Sequence, residues 1–280
     1  MAIVKMKRLR LAAMAGDREQ LLHLLQHMGC VEVSEPSVDE SDPLWAGLTR
    51  PDDQGLSRAR EEQSQVQRAM ETLRHYAPAK KGGLSPKPDL SEKALFDETA
   101  ARSARQTVSE INELDRRVNG ARAECAKLEG QKAALLPWAT LDLPLEETAT
   151  GQVTVQLGTL PAAVTMGQAE GAIETAGDLI QLREVSSDRE WRYCILICHN
   201  SQLEGALEIL KELGWSRANL RDWTGTAAEN IARLDRRMSE LDRERSELEE
   251  RLSRMGDRWP QLQQLSDLVA VTVSREESRG

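Results

Sequence analysis

INELDRRVNGARAECAKLEGQKAALL (residues 111–136) and IARLDRRMSELDRERSELEERLSRM (residues 231–255) decide how this 280-residue chain folds. In the first, Ile111, Leu114, Val118, Ala121, Cys125, Leu128, Lys132 and Leu135 recur in alternating steps of three and four. In the second, Ile231, Leu234, Met238, Leu241, Arg245, Leu248, Leu252 and Met255 do the same, continuing to Trp259 and Leu262. A 3.5-residue apolar period is a heptad seam and implies a left-handed supercoil. Each seam contains one basic residue, Lys132 or Arg245. Such a residue lowers stability but can fix register. Pro137 closes the first seam.

The segment between the seams has a different texture. GQVTVQLGTL (151–160) alternates as a strand, 165–176 is small and helical, and DLIQLREVS (178–186) and REWRYCILICH (189–199) read as two strands joined at Ser187-Asp188. QLEGALEILKELG (202–214) is a helix ended by Gly214, with a short strand after it. The order β-α-β-β-α-β is the ferredoxin-like split pattern. Two seams flanking one small domain predict an antiparallel hairpin with that domain at its tip.

The termini are expected to meet at the other end. IVKMKRLRLAAM (3–14) partly alternates as a strand, Asp17 can cap a helix carrying Leu21, Leu22, Leu24, Leu25 and Met28, and Gly29 ends it before the short strand Cys30-Val31-Glu32-Val33. REQLLHLLQHMGCVEV (18–33) and QLEGALEILKELGWSRANL (202–220) share a leucine-rich helix, a glycine and a short strand. Residues 34–55 read as an acidic loop, a helix is expected from Leu56 to Ala77, and PAKKGGLSPKPDL (78–90) is a linker by its Pro and Gly content. Ser91 is a cap for the helix after it. LVAVTVS (268–274) is β-branched and is expected to be a strand against the N-terminal ones. The expected fold is α+β: two small α/β, ferredoxin-like lobes joined by a long antiparallel coiled-coil hairpin. Residues 1–55 and 263–280 form the base lobe, 56–136 and 227–262 the helical arm, and 137–226 the tip lobe.

Composition narrows the function. Charged residues are 30% and aromatics only 3%, the composition of long solvated helices rather than of a large pocket. The net charge of −9 argues against a general phosphate-backbone binder. Residues 107–136 carry five acidic and five basic residues, and 227–262 nine and eight, so neither arm suits an RNA-binding coiled coil. Neither a bilayer-length apolar run nor a signal-peptide core is present in the sequence, and reduced thiols and a cytoplasmic setting are expected.

No catalytic constellation is legible: GxGxxG, Walker-type Gly-Lys-Ser/Thr, HExxH and GxSxG are all missing. His23 and His27 stand four apart with Cys30 beyond, a spacing open to zinc, but polar-face histidines explain it without convergent ligands. Cys194 and Cys198 lie on one face of a strand, roughly 13 Å apart, and suit core packing. Lys5, Lys7, Arg8 and Arg10 fit a charge-protected strand edge, or contact with anionic headgroups or an acidic partner. Catalytic, cofactor and metal residues are therefore not assigned. The tip segment 137–226 has 13 acidic and six basic residues, net −7, which suits a basic partner. Gln202, Glu204, Glu208, Lys211 and Glu212 on its second helix are the expected partner-binding residues. A ligand-sensing module is the remaining alternative, on fold analogy alone.

MAIVKMKRLRLAAMAGDREQLLHLLQHMGCVEV (1–33), LLPWATLDLPLEE (135–147) and VTVQLGTLP (153–161) resemble subunit I of bacterial and archaeal V-type ATP synthases, the counterpart of subunit a in eukaryotic V-ATPases. As an ordered series of elements the resemblance covers nearly the whole chain, and its specific part lies in the first 35 residues and in 135–161. It implies a non-catalytic stator role on the cytoplasmic face of the cell membrane. The two lobes would receive peripheral stalks, heterodimers of subunits E and G, with no nucleic acid or small-molecule ligand. The family's C-terminal half supplies membrane helices and an arginine that works against the rotor-ring carboxylate. Neither lies in these 280 residues, which correspond to the cytoplasmic half of that subunit or to a split form of it.

Overall fold

The computed structural model describes residues 6–9, 11, 13–32, 54–78, 91–146, 149–220 and 222–277. Two compact units emerge, one from Met1–Asp115 with Arg251–Gly280, the other from Arg116–Glu250.

Among its described residues, the first unit has only helices as regular structure. A 3-10 turn leads into α1 (Arg18–Met28), and Gly29, at φ 61°, follows it as the expected C′ glycine. α2 (Gln54–Tyr76) stops before Pro78 and buries Ala59, Val66, Ala69, Thr72 and Leu73. α3 is a single turn, Glu92–Leu95, where Ser91 Oγ accepts from Ala94 N at 3.3 Å. Asp97 then starts α4 (Glu98–Leu135): its Oδ1 accepts from the amides of Thr99 and Ala100 at 2.9 and 3.2 Å. Those two bonds satisfy donors that a helix start leaves orphaned. The core of the unit combines the α2 row with Ala101, Ala104, Val108, Ile111 and Leu114 of α4 and with the last helix. Asn112 of α4 donates to the Gln65 carbonyl of α2 at 3.0 Å, and Arg105 pairs with Glu62 at 2.6 Å.

That last helix corrects the sequence expectation. α7 (Ala227–Arg254) ends in a 3-10 turn, and the chain re-forms as α8 (Trp259–Glu277), with Pro260 in the first turn where its missing N–H costs nothing. The strand expected at 268–274 is the middle of α8. Leu262, Leu265, Val269 and Val273 are buried at helical spacing and extend the seam that ran through Trp259. Packing on α2 outweighs the weak β preference of Val and Thr. Arg60 pairs with Glu277 at 3.0 Å and the Arg74 guanidinium sits over Trp259 at 5.1 Å, so α2 and α8 run antiparallel. The strand expected at 3–14 is not seen at residues 6–9, 11, 13 and 14, and its residues 3–5, 10 and 12 lie outside the described residues. Residues 30–32 carry no strand either, while Val33, the loop from 34 to 53 and the linker residues 79–90 lie outside the described residues. A second ferredoxin-like lobe therefore has no support among the described residues of this unit.

The second unit does carry the split β-α-β-β-α-β pattern. Its strands are β1 (Val153–Pro161), β2 (Ile180–Ser187), β3 (Trp191–His199) and β4 (Ser216–Arg217), and its crossover helices are α5 (Met166–Ile173) and α6 (Leu203–Glu212). The sheet order is β2-β3-β1-β4 with antiparallel neighbours. Leu196 stands opposite Gln156 on one side and Leu182 on the other. β4 is a two-residue edge, and the Trp215 ring beside it lies so close to β1 that a Cβ on Gly158 would come within 2.2 Å. Capping boxes open both α5 and α7. Thr165 and Gln168 exchange bonds of 3.0 and 3.3 Å, Thr226 and Glu229 bonds of 2.9 and 3.2 Å, each box contributing about 1 kcal/mol.

Within this unit the two long helices also run antiparallel. Arg117 pairs with Glu244 at 2.6 Å, Glu124 with Arg237 at 3.0 Å and Lys132 with Asp235 at 2.6 Å, the second number falling as the first rises. Exposed pairs contribute little stability each but do favour one register. Beneath them Val118, Ala121, Leu135, Leu234, Leu241 and Leu248 are buried, as the heptad series requires.

Candidate interaction surface

α6 is amphipathic by sequence. Ala206 and Leu210 are buried, and Leu203 and Leu207 pack beside them, on a core of Leu160, Ala169, Ile173, Leu182, Cys194, Leu196 and Cys198. Each fully buried leucine there stabilises by about 1.5–3 kcal/mol relative to exposure. The opposite face presents Glu204, Glu208, Lys211 and Glu212, all exposed and spaced i, i+4, i+7 and i+8. Four of the five expected partner-binding residues thus share one solvent-facing stripe. Gln202 does not join them. At the N-cap its Oε1 accepts from Leu179 N at 2.9 Å and its Nε2 donates to Asp178 Oδ1 at 3.4 Å. Its amide lies where a Cβ on Gly177 would fall, 2.2 Å away, and Gly177 has φ 150°. Gln202 therefore closes the loop before β2.

α5 lies beside α6 in the same layer, and the Cβ site of Gly205 falls 3.6 Å from Ala176 in the 3-10 turn that follows α5. It adds exposed Glu170, and Glu174 follows in the next turn. Glu170, Glu174, Glu204, Glu208 and Glu212 form no ion pair among the described residues, in contrast to the cross-helix pairs of α4 and α7. Glu170 of α5 and Glu174 of the turn after it were not singled out from sequence, although both stand in plain view there.

The other face of the sheet is joined to the helix pair. Leu135, Trp138, Leu145, Leu220, Ala227 and Leu234 form a second core, against which Leu157, Val185 and Tyr193 pack. The β2–β3 pairing steps from Glu184 opposite Cys194 to Ser186 opposite Tyr193, a bulge at Val185. Ser186 Oγ donates to the Pro137 carbonyl at 2.7 Å. Arg192 pairs with Glu184 at 2.8 Å and donates to the Val164 carbonyl at 2.8 Å, tying β2 and β3 to the start of the α5 crossover. A hydrogen bond from Ser187, then the Arg192 bond and charge, hold Glu184 below the usual carboxylate range against the opposing effect of burial. At the hairpin turn, the amides of Glu190 and Trp191 and the Tyr193 hydroxyl all donate to Asp188 and lower its pKa.

The nucleophile and ligand candidates fall elsewhere. Burial pushes the Cys194 thiol up to about 11 and raises Cys198 as well, which disfavours the reactive thiolate. His23 is exposed with its ring 6.0 Å from Phe96, and Cys30 is exposed. Among the described residues no three His, Cys, Asp or Glu side chains gather as a metal site. A cavity of about 20 Å³ in the first unit, between Leu95, Ala101, Ala104, Gln261, Gln264 and Leu265, has room for one water. No helix among the described residues is long and apolar enough to cross a membrane. The second unit thus presents a charged helix face on one side of a sheet whose other side is packed on a second core.

A protein with this architecture is a mixed helix-and-sheet scaffold, with long helices and one four-stranded antiparallel sheet. Its fold is similar to the crystal structure of the cytoplasmic N-terminal domain of subunit I, a homolog of subunit a, of V-ATPase: TM-score 0.51, 18% identity, covering 94% of this chain and 86% of that one. No protein-family model matches the sequence, and no curated protein does.

Proposed function

We propose that this chain is a stator component of a rotary V-type ATPase or ATP synthase, the cytoplasmic half of subunit I. The observation that carries this reading is the fold likeness to a subunit I domain across nearly the full length of both chains. In this role the chain catalyses nothing itself. It anchors peripheral-stalk E/G heterodimers to the membrane sector, where the membrane-embedded half of the subunit faces the rotor ring and carries protons or sodium ions. The functional division is a base formed from both termini, a helical arm and a tip at 137–226. The docking face is the α6 stripe of Glu204, Glu208, Lys211 and Glu212, held in place by Gln202 at its start. Its excess of unpaired carboxylates suits a basic surface on the stalk, since complementary charge speeds and orients docking.

A retention experiment with immobilised E/G heterodimer and the full chain tests both parts of the proposal. The wild-type chain should be retained, more weakly as salt rises. A chain carrying Glu204→Lys, Glu208→Lys and Glu212→Lys should bind at least about tenfold more weakly, because like charge across an interface costs more than a lost contact. No retention of the wild-type chain overturns the stator reading. Undiminished retention of the triple variant overturns the α6 face.

A further inference from the structure

We infer that residues 119–132 of α4 are a compliant segment, built to open locally from α7 while the sheet of the same unit stays folded. Three independent observations converge on it. Gly120 and Gly130 lie in the helix interior, neither has a positive φ, and a Cβ at either site would meet nothing within 4 Å. Neither packing nor backbone geometry requires glycine there, yet each lowers local helix stability about fivefold relative to alanine. The seam thins over the same stretch: between Ala121 and Leu135, the seam residues Cys125, Leu128 and Lys132 are all only half-buried, whereas Val118 and Leu135 are fully buried. Finally, the stretch ends on a charge, with Lys132 Nζ 2.6 Å from Asp235 in a pair open to solvent on both sides. Opening this segment exposes Ala121 and the facing Leu234 and Leu241 of α7 but leaves the sheet core covered, so its free energy lies below that of global unfolding. The sheet core, with Leu160, Leu196 and Leu210 fully buried, offers no such low-cost opening.

The cysteines provide a site-resolved probe, because Cys125 is half-buried inside the segment and Cys194 and Cys198 are buried in the sheet. The full chain carrying Cys30→Ser is labelled with a thiol reagent under native conditions, and each cysteine is followed by mass spectrometry. Cys125 should label at least about tenfold faster than Cys194 and Cys198, whose exposure requires wider unfolding. Gly120→Ala with Gly130→Ala should slow Cys125 labelling about tenfold or more while leaving Cys194 and Cys198 unchanged. Labelling of all three in one phase overturns the inference. So does a Cys125 rate that the two alanines leave unaltered, or an equal slowing at the sheet cysteines.

Discussion

The Tyr193 ring meets Trp138 edge-on, with ring centroids 5.6 Å apart and planes at 85°. Tyr193 belongs to the third strand, and Trp138 to the turn that ends the long helix α4. The contact therefore joins the sheet to the helix pair within one unit, and the Ser186 bond to Pro137 runs parallel to it. Edge-to-face geometry places the positive ring edge on the negative face and adds about 0.5–1.5 kcal/mol to the area buried. A sheet seated this way has little freedom to slide against its helices.

Trp138→Ala should therefore destabilise the second unit more than any surface change. The indole is 2% exposed, and its loss leaves a cavity shared by Leu135, Leu145 and Tyr193. The expected cost is about 3–5 kcal/mol by urea denaturation. Tyr193→Phe keeps the ring contact and loses only the hydroxyl bond to Asp188, so its midpoint should move far less. Equal shifts for the two variants would contradict the geometry.

Acid should weaken the β2–β3 hairpin through Asp188 and Glu184. Both folded pKa values are depressed, so both carboxylates bind protons more weakly folded than unfolded. Their stabilisation is complete above the unfolded carboxylate pKa and is lost as pH falls through the lower folded values. Asp188→Ala should thus lower the urea midpoint at pH 7, and the difference from wild type should shrink below pH of about 4. A gap that widens on acidification would mean the shift has the opposite sign.

The fold of the second unit was legible because its signals are local. Alternation at 151–160, the turn at Ser187-Asp188 and the apolar face of 203–210 each fit within one element, and all three appear where the pattern puts them. The heptad series was legible for the same reason. Residues 268–274 were misread because LVAVTVS satisfies a strand pattern over seven residues, while the helical spacing of Leu262, Leu265, Val269 and Val273 shows only over a longer window. The acidic stripe could be read from spacing, but the inward turn of Gln202 depends on Gly177, a contact between residues 25 apart that no periodicity encodes.

The basic seam residue Lys132 should favour register at the expense of stability. It occupies an apolar position of the heptad series and finds Asp235 across the pair. With both side chains partly in water, a double-mutant cycle on Lys132→Ala and Asp235→Ala should give a coupling of about 1 kcal/mol or less. Lys132→Leu should raise the thermal midpoint, because a leucine adds apolar contact at a half-buried seam position and removes a charge that must be desolvated. A lowered midpoint would show that the ion pair outweighs apolar burial here.

The helical state of 259–277 sets the last expectation, since strand and helix distribute the same residues over different faces. In a strand, Val269, Val271 and Val273 would share one face and Ala270 and Thr272 the other. In the helix, Val269 and Val273 are buried with Leu265, while Ala270 is exposed. Leu265→Ala should cost about 2–5 kcal/mol and Val269→Ala about 2, while Ala270→Lys should change stability by less than about 0.5. Ala270→Pro separates the two states further: it removes a helix hydrogen bond and clashes with the preceding turn, costing about 3 kcal/mol or more and lowering helical circular dichroism. A strand edge would tolerate that proline, so a folded Ala270→Pro chain with undiminished helical signal would return this stretch to the β state that its composition suggests.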